Sequence, residues 1–332
     1  MCISALGNIG FGFLTWLTDS QSFFWSSIIL RVLTALGESV ISPASYPLAA
    51  RQLGEQNKAK ALSVAESCFG VGLMFGPPVG GVLYSVGGFY APFWTCAFVE
   101  LVIICMAIYL FGQQQELKEE KTPLTTKDTS VIGWKTVLQS PKIVSSFIAL
   151  TCTSCSWYWY QASLEPFLQD SFDFDEAKTG LVFMAGASSY SIATPVFGFL
   201  IDKGFSEINL IIFGNLLVTV AYLFLGPIPF LSFLGSSYWF TTISILLQGV
   251  GTAAAYLGSL CFMLQSGLPD TEQAESMVSS LYVIGDCMEA YVGAATGGLA
   301  YQVLGFKTGS YIPSVFMAIV TLGLLLGRRW LL

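Results

Sequence analysis

Long apolar runs separated by short polar breaks occupy almost the whole chain. An α-helix that crosses a bilayer needs about 20 predominantly apolar residues. Ten runs of suitable length lie near residues 2–18, 23–49, 60–86, 90–111, 142–169, 177–201, 208–230, 236–267, 273–304 and 309–330. Because lipid offers the backbone no hydrogen bonds, only helices and closed barrels cross it. The pattern therefore predicts an all-α, polytopic membrane helical bundle with about ten transmembrane helices.

One long polar segment, residues 113–140, interrupts this alternation. Its centre reads QQQELKEEKTPLTTKD, a composition that cannot form an apolar core and that is typical of a flexible linker. The segment therefore predicts a division into three parts: a partial N-terminal half of four helices at 1–112, a cytoplasmic central loop at 113–140 and a six-helix C-terminal half at 141–332.

The basic residues indicate an orientation. If the ten spans alternate in direction, Lys178 and Lys307 lie on one side of the membrane, and the opposite side carries Arg51, Lys58, Lys60, Lys118, Lys121, Lys127, Lys135, Lys142, Lys203, Arg328 and Arg329. Cytoplasmic segments of membrane proteins are enriched in Lys and Arg. We therefore expect the N-terminus, the central loop and the C-terminus to be cytoplasmic.

The composition excludes several classes of function. Charged residues make up 11% of the chain, whereas soluble domains carry about a quarter. Histidine is absent, which excludes His-based catalysis and His metal ligands. The net charge of −7 argues against a nucleic-acid partner. The CxxC formed by Cys152 and Cys155 lies in an apolar run and is interpreted as packing. We expect neither an enzyme nor a metal site.

Glycines occupy one face of the predicted helix that contains Glu66–Tyr84, which reads ESCFGVGLMFGPPVGGVLY. Small residues at four-residue spacing let a second helix approach closely. The Pro77–Pro78 pair removes helix hydrogen bonds and predicts a break at that depth. GPPVGGVLYSVGGF is echoed by GAATGGLAYQVLGF at Gly293–Phe306. The echo pairs the first four spans with the last four and leaves residues 142–201 without a counterpart.

Three segments carry a resemblance to the major facilitator superfamily. Its fifth-helix antiporter motif resembles the pattern of Gly76, Pro77, Gly80 and Gly81. GFLIDKG, which contains Gly198, Asp202 and Lys203, is similar to its Gly-x-Leu-x-Asp-Lys/Arg-x-Gly loop motif. Arg31 within RVLTALG is similar to its fourth-helix Arg-x-x-x-Gly-x-Gly motif, with Ala35 in place of the first glycine. The resemblance implies two six-helix halves, of which the first two helices would precede Met1.

Two further segments resemble the vesicular amine and polyamine transporters, a solute carrier family. ASLEPFL at Ala162–Leu168 is similar to the seventh-helix Leu-Glu-Pro of the amine branch, and GLVFMAGASSYSIATPVFGFLIDK at Gly180–Lys203 resembles the polyamine branch. The resemblance implies a proton-coupled antiporter that moves small organic cations, polyamines or monoamines, by alternating access. It implies a proton gradient as the driving force without a cofactor, the lipid bilayer as surroundings and an intracellular vesicle membrane as location.

Glu165 is the sequence's first candidate for binding an organic cation. An ionisable side chain inside a span costs several kcal/mol and therefore calls for a reason. Trp157, Gln161 and Glu165 recur at four-residue spacing on one helix face, with Tyr158 beside them. A carboxylate among aromatic rings suits an ammonium group. The alternative interpretation is an interfacial aromatic belt.

The penultimate long span offers a second group, Tyr282, Asp286 and Glu289, on one helix face. Two carboxylates one turn apart repel each other, so that one of them tends to hold a proton. This property suits proton coupling, whereas the alternative is a hydrated helix end. Glu38 and Glu66 are further acids inside spans and further candidates for binding substrate or protons.

Arg31 and the motif residues are candidates for gating and structural roles. Arg31 either neutralises an acid on a neighbouring helix or balances charge structurally. Asp202 is predicted to cap a helix N-terminus beside Lys203 and to act as a gate.

Three alternatives to amine/proton exchange in a vesicle membrane stay open at the level of sequence. The first is a non-transporting, truncated or regulatory membrane protein. The second is a drug/proton exchanger of the plasma membrane. A membrane enzyme ranks last, because no catalytic motif supports it.

Overall fold

The computed structural model describes residues 1–52, 57–119, 133–225, 238–265, 268 and 272–331, and these residues form helices without a β-strand. In chain order the helices are α1 Cys2–Phe13, a 3₁₀ turn Leu14–Trp16, α2 Ser20–Glu38, α3 Ile41–Gln52, α4 Lys58–Gly87, α5 Tyr90–Glu119, α6 Trp134–Gln139, α7 Pro141–Phe172, α8 Glu176–Asp202, α9 Glu207–Leu225, α10 Tyr238–Leu264, α11 Glu272–Gly309 and α12 Tyr311–Leu331.

The predicted all-α membrane bundle is confirmed. Each of the ten predicted spans coincides with one helix or, near the N-terminus, with the pairs α1 plus the 3₁₀ turn and α2 plus α3. Parts of the spans 208–230 and 236–267 lie outside the described residues. Seven candidate membrane spans in the described residues are long and apolar enough to cross a bilayer, and α1 is a shorter apolar helix.

The described helices belong to two compact units. The first unit contains Met1–Ser42 and Pro77–Ile132, and the second contains Pro43–Gly76 and Gly133–Leu332. The boundary therefore falls inside α4, between Gly76 and Pro77. The predicted division at residues 112 and 141 stays a prediction.

In the first unit α1 packs against α2 and α5. Gly37 of α2 lies directly against Ser4 of α1, because a Cβ at Gly37 would come within 2.6 Å of the Ser4 backbone nitrogen. On the other side of α1, the ring of Phe11 stacks on that of Phe93 with centroids 5.1 Å apart. Glycine and flat rings thus let three apolar helices approach closely.

In the second unit α10 is the central helix. It packs against α7, α8 and α9, and most of its residues are buried. α11 lies along α7, and α12 lies against α9. The largest fully buried side chains of this unit include Tyr160, Tyr222, Ile245 and Leu257. These contacts place α7, α8, α10 and α11 around a shared interior.

Two local expectations differ from the structure. The helical backbone of α4 runs through Pro77 and Pro78 without the predicted break. Inside a membrane no water is present to form hydrogen bonds with backbone groups that a break would expose. A membrane helix therefore tolerates proline better than a helix in solution does. The segment predicted as the loop 113–140 is partly helical, because α5 extends to Glu119 and α6 covers Trp134–Gln139. Gln, Glu, Leu and Lys are strong helix formers, which explains the extension of α5. The centre of this segment lies outside the described residues.

The glycine stripe of α4 makes one close contact in the described chain. A Cβ at Gly70 would lie 2.7 Å from the ring of Tyr190. At four other glycines of the stripe, a Cβ would meet no described atom within 4 Å; these are Gly72, Gly76, Gly80 and Gly81. The echo helix α11 packs more closely, because a Cβ at Gly293 would lie 2.5 Å from the Cys155 carbonyl oxygen of α7 and one at Gly297 would overlap the Trp159 backbone.

The first turn of α4 is held by two other helices through a set of contacts that we call the α4 clamp: Lys58, the Ala59 and Lys60 amides, Asp202 and Glu275. The Asp202 carboxylate, at the end of α8, accepts hydrogen bonds from Ala59 N (3.1 Å) and Lys60 N (3.0 Å). Lys58 Nζ lies 3.0 Å from Glu275 Oε1 of α11. The helix-capping geometry predicted for Asp202 is thus present, whereas its gating role stays a prediction.

The rest of the GFLIDKG segment supports the clamp. Gly198 lets α8 pack directly on Ser63 and on the Ala59 carbonyl of α4. Gly204 adopts a left-handed φ of 91° just after α8, a conformation that costs glycine little. Lys203 is exposed, and its ammonium lies 4.3 Å from the centroid of the Phe199 ring.

Substituting Gly297 by valine is expected to destabilise the protein, because two helix backbones meet there and cannot move apart cheaply. Overpacking of this kind typically costs about 1–3 kcal/mol. Thermal unfolding of the detergent-solubilised protein is the measurement, with a lowered midpoint expected. Gly298→Val is the matched control, because a Cβ at Gly298 meets no described atom within 4 Å. Equal midpoints for both variants would contradict the close packing of α11 on α7.

Substituting Asp202 by alanine is expected to loosen the first turn of α4. Losing a helix-capping side chain costs about 1 kcal/mol, which corresponds to roughly fivefold faster exchange of the amides that it held. Hydrogen exchange at Ala59 and Lys60 measures the effect. Asp175→Ala removes the cap of α8, where Asp175 accepts from Lys178 N at 2.8 Å, and should affect α8 alone. Unchanged exchange at α4 in the Asp202 variant would refute the clamp.

Candidate functional site

A small cavity lies inside the second unit among α4, α7, α8, α10 and α11. Most of its wall is aromatic, and Asp286 supplies its one carboxylate among the lining residues, which are Phe69, Leu73, Trp157, Tyr158, Tyr190, Thr252, Tyr256 and Asp286. Its volume is about 10 Å³, which is room for roughly one water molecule. A mostly apolar wall with a few convergent polar groups is typical of small-ligand sites, so this cavity is the candidate binding site, and it must widen before an organic cation can enter.

Asp286 is surrounded by hydroxyl groups. Tyr256 donates a hydrogen bond to Asp286 Oδ1 over 3.0 Å. The Tyr256 oxygen also lies 2.6 Å from Ser154 Oγ. A phenol carries one hydrogen, so when Tyr256 donates to Asp286 it accepts from Ser154. Tyr158 lines the same cavity as Asp286. The carboxylate thus has a hydroxyl donor that would not neutralise its charge when it is ionised.

The rings around Asp286 present faces and edges to the same space. Trp157 and Tyr190 have ring centroids 6.0 Å apart, and Tyr190 and Tyr256 have centroids 6.1 Å apart in an edge-to-face arrangement. Aromatic faces carry negative charge density and attract ammonium groups. The cavity thus combines a carboxylate with rings that favour a cation.

Glu66 lies on α4 beside this cavity and is 2% exposed. Its Oε1 accepts hydrogen bonds from Tyr46 (2.7 Å, α3) and Tyr282 (2.9 Å, α11), and its Oε2 accepts one from Tyr190 of α8. Three phenols from three helices therefore converge on one buried carboxylate. We call these four residues the tyrosine cage.

Glu289 has a different environment, although it lies one turn from Asp286. It is 4% exposed, and neither of its carboxylate oxygens has a hydrogen-bond partner among the described residues. A buried carboxylate without donors is costly when it is ionised. This environment differs from the hydroxyl-bonded surroundings of Asp286 and Glu66.

Glu165 stands apart from the cavity. Eight residues separate it from Trp157, which is about 12 Å along the helix axis. Its side chain is exposed and accepts a hydrogen bond from Gln169 at 3.2 Å. Gln161 is half-buried between them. The structure thus joins Trp157 and Tyr158 to Asp286, and it leaves the predicted role of Glu165 as a prediction.

In the first unit the polar side chains form a separate cluster on α1, α2 and α5. Glu100 Oε1 accepts hydrogen bonds from Ser4 (2.8 Å) and Asn8 (3.1 Å), while Ser4 Oγ also lies 3.5 Å from Glu38 Oε1. The Arg31 guanidinium lies over the Phe11 ring, 4.6 Å from its centroid. The two roles suggested for Arg31, neutralising an acid on a neighbouring helix and balancing charge structurally, stay predictions.

Sequence reasoning missed Tyr46, Tyr190 and Tyr256. Each lies in an apolar run, where its hydroxyl needs a partner inside the protein. That signal was present in the sequence, but it did not say which carboxylate each hydroxyl would reach. Glu100 was missed as a partner of Ser4 and Asn8 for the same reason, although those two lie four residues apart on one face of α1.

In the part of the chain that the structure describes, no group of three or more Cys, Asp or Glu residues is arranged to hold a metal ion. Cys152 and Cys155 are free thiols on α7.

Comparison with known proteins identifies the family. The family model for the Major Facilitator Superfamily matches residues 1–161 and 146–331. The MFS-type transporter SLC18B1 of Homo sapiens is 28% identical over 338 residues, which cover all of this chain and 71% of that protein. The synaptic vesicular amine transporter of Homo sapiens is 27% identical over 92% of this chain and 55% of its own length.

Solved structures show the same fold at low identity. A bacterial homologue of the iron transporter ferroportin, in an outward-facing state, has a TM-score of 0.71 at 16% identity, over 99% of this chain and 81% of that one. The human organic anion transporter MFSD10 has a TM-score of 0.64 at 17% identity, over 97% of this chain and 76% of that one. With the family model matching nearly every residue, the chain belongs to the Major Facilitator Superfamily and is related to the vesicular amine transporters.

Proposed function

We propose that this protein is a proton-coupled antiporter of small organic cations, polyamines or monoamines, that works by alternating access. The observation that carries the proposal is Asp286, a carboxylate held by hydroxyl groups in an aromatic cavity. An ammonium group that enters this cavity would pair with Asp286 and lie against the rings of Trp157 and Tyr190.

The chemistry of the cavity favours a cation over other ligands. The described groups that interact with Asp286 are hydroxyls, the Cys287 thiol and the carboxyl groups of Glu66 and Glu289, and none of these is a base that would neutralise its carboxylate. A buried negative charge without a counter-ion attracts a cation strongly, because the surrounding dielectric is low. Neither an anion nor an uncharged sugar would compensate that charge.

Relatives and fold support this proposal to different degrees. Relatives that are named amine transporters align over most of the chain, which favours an amine as substrate. The solved structures of the same fold are titled for iron, fucose with protons, and organic anions. Because one fold serves such different substrates, the substrate must be argued from the site.

Proton coupling follows from competition between a proton and an organic cation for carboxylates that share one interior. Asp286, Glu66 and Glu289 lie in the same unit, and each can be neutral or charged. A proton gradient would then drive exchange without a cofactor. Under the orientation inferred from the basic residues, both termini and the α4 clamp lie on the cytoplasmic side, where the clamp would close the path between transport steps.

The location is proposed to be an intracellular vesicle membrane. Relatives bear the names synaptic vesicular amine transporter and chromaffin granule amine transporter. An exchanger of the plasma membrane is the alternative within the transporter class. Localisation of the tagged full chain distinguishes the two, because a vesicular protein does not concentrate at the cell surface.

Substituting Asp286 by asparagine is expected to abolish saturable amine uptake. Breaking a buried ion pair by removing one partner costs about 3–5 kcal/mol, so uptake at low substrate concentration should fall by roughly a hundredfold or more. The measurement is uptake of labelled spermidine, and separately of a labelled monoamine, into proteoliposomes with an imposed pH gradient. Glu165→Gln tests the sequence's own candidate in parallel, and it should lose less activity.

The control is Glu207→Gln, at an exposed helix end where Glu207 bonds Gln265. A larger loss in the Glu165 variant than in the Asp286 variant would return the ammonium site to Glu165. Background-level uptake by the wild-type protein and all variants would favour a non-transporting, regulatory protein.

A further inference from the structure

We infer that Glu66, and not Asp286, carries the exchanged proton, and that its charge controls the closure of α4 onto α8 and α11. This inference rests on the proposed function and assigns the two cations of the exchange to two different carboxylates. Asp286 takes the organic ammonium in the aromatic cavity. Glu66 takes the proton inside the tyrosine cage.

The geometry of the tyrosine cage excludes an organic cation. An ionised carboxylate offers about four positions to hydrogen-bond donors, and three of these are filled by Tyr46, Tyr190 and Tyr282. Glu66 is 2% exposed and does not line the cavity that contains Asp286. A proton needs no additional volume, so Glu66 can accept it without opening the cage, whereas the cavity of about 10 Å³ at Asp286 must widen before an organic ammonium can enter.

The cage can satisfy both charge states of Glu66. In the ionised state three phenol hydrogens point at the carboxylate. When Oε2 takes up a proton, the new O–H can donate to the Tyr190 oxygen, and the Tyr190 hydroxyl turns its own hydrogen away. One hydrogen bond changes direction, while the other two phenols still donate to Oε1. A salt bridge in the same place would instead have fixed the carboxylate as ionised.

Proton binding weakens the cage, and the cage joins helices. Hydrogen bonds to an ionised carboxylate are roughly twice as strong as those between neutral groups. Tyr46, Tyr190 and Tyr282 come from α3, α8 and α11, so the charge on Glu66 holds α4 to all three helices. The α4 clamp holds α4 to α8 and α11 about two turns away, through Asp202 and Glu275. Protonation of Glu66 therefore favours separation of the helices that the clamp closes.

The cage also touches the amine cavity. Tyr190 and Tyr282 of the cage each pack edge-to-face on Tyr256, at centroid distances of 6.1 and 6.3 Å. Tyr256 is the donor to Asp286. Among the described residues, Asp286 of α11 acts electrostatically on Glu66, and Tyr256 of α10 acts on Tyr190 and Tyr282. An ammonium at Asp286 and a proton at Glu66 therefore act on the same helices, which is the condition for coupled exchange.

Glu289 does not fit this role. Both of its oxygens are without hydrogen-bond partners among the described residues, whereas three phenols donate to Glu66. Loss of its proton would also release no hydrogen bond that joins α11 to another helix. Glu66 differs from Glu289 on both points.

The test uses the full chain in proteoliposomes and three readouts for Glu66→Gln. Accumulation of labelled spermidine driven by a pH gradient should fall by about tenfold or more, because one titrating site couples transport by up to tenfold per pH unit. Adding spermidine should no longer move protons across the membrane of the proteoliposomes, as measured with a pH dye trapped in the lumen. Exchange of internal for external spermidine without a pH gradient should remain measurable. Glu207→Gln is the control for all three readouts.

A second variant keeps the inference testable if Glu66→Gln does not fold. Tyr282→Phe removes one donor to the ionised carboxylate and retains Glu66, so the pH of half-maximal uptake should move up by about one unit. Tyr301→Phe is its matched control on α11, because that hydroxyl bonds Asp170 outside the cage. An unchanged pH profile in the Tyr282 variant overturns the inference.

The outcomes separate this inference from the proposed function. The inference is overturned if the wild-type protein exchanges spermidine for protons and the Glu66→Gln variant still moves protons with spermidine. That result leaves the proposed function intact. Wild-type protein that moves no amine under any gradient overturns both. We expect the Asp286→Asn variant to lose spermidine exchange altogether. We expect the Glu66→Gln variant to lose only the movement of protons.

Discussion

A carboxylate buried among apolar helices must find its hydrogen-bond donors inside the protein, because lipid supplies none. For Asp286 and Glu66 of the second unit those donors are hydroxyl groups. Tyr256 donates to Asp286, and three phenols donate to Glu66. Each of these phenols belongs to a different helix from the carboxylate that it meets. The requirement to satisfy these carboxylates thus fixes how α3, α4, α8, α10 and α11 come together.

The fold was predictable because its main signal is local. A run of apolar residues long enough to cross a bilayer is almost obliged to be a helix, and each of the ten predicted spans coincides with helical structure. The ends and breaks of the helices were less predictable, because there the local preferences of single residues compete with the rest of the helix. Pro77 and Pro78 did not end α4, and α5 continued into the polar segment because its residues favour helices.

The candidate site was only half predictable because periodicity describes one helix at a time. It placed Trp157, Gln161 and Glu165 on one face of α7 and Asp286 with Glu289 on α11. It could not say which level of α7 lies opposite Asp286. In the structure Gly285 lies against Leu150 and Gly293 lies against Cys155, while Tyr158 lines the cavity of Asp286 and Glu165 lies farther along α7. The partners on α8 and α10 are contacts between helices that the sequence pattern does not contain.

Hydroxyl partners and basic partners lead to different chemistry for a buried acid. A lysine or arginine beside a carboxylate holds it ionised and already neutralised, as Lys58 does for Glu275 at the clamp. Hydroxyls lower the cost of the negative charge without cancelling it, so the charge can still be met by an ammonium group or by a proton. A protein that exchanges one cation for another needs carboxylates of this second kind. This distinction is why we propose Asp286 and Glu66 for the exchange, whereas the ion pair between Lys58 and Glu275 is a contact between α4 and α11.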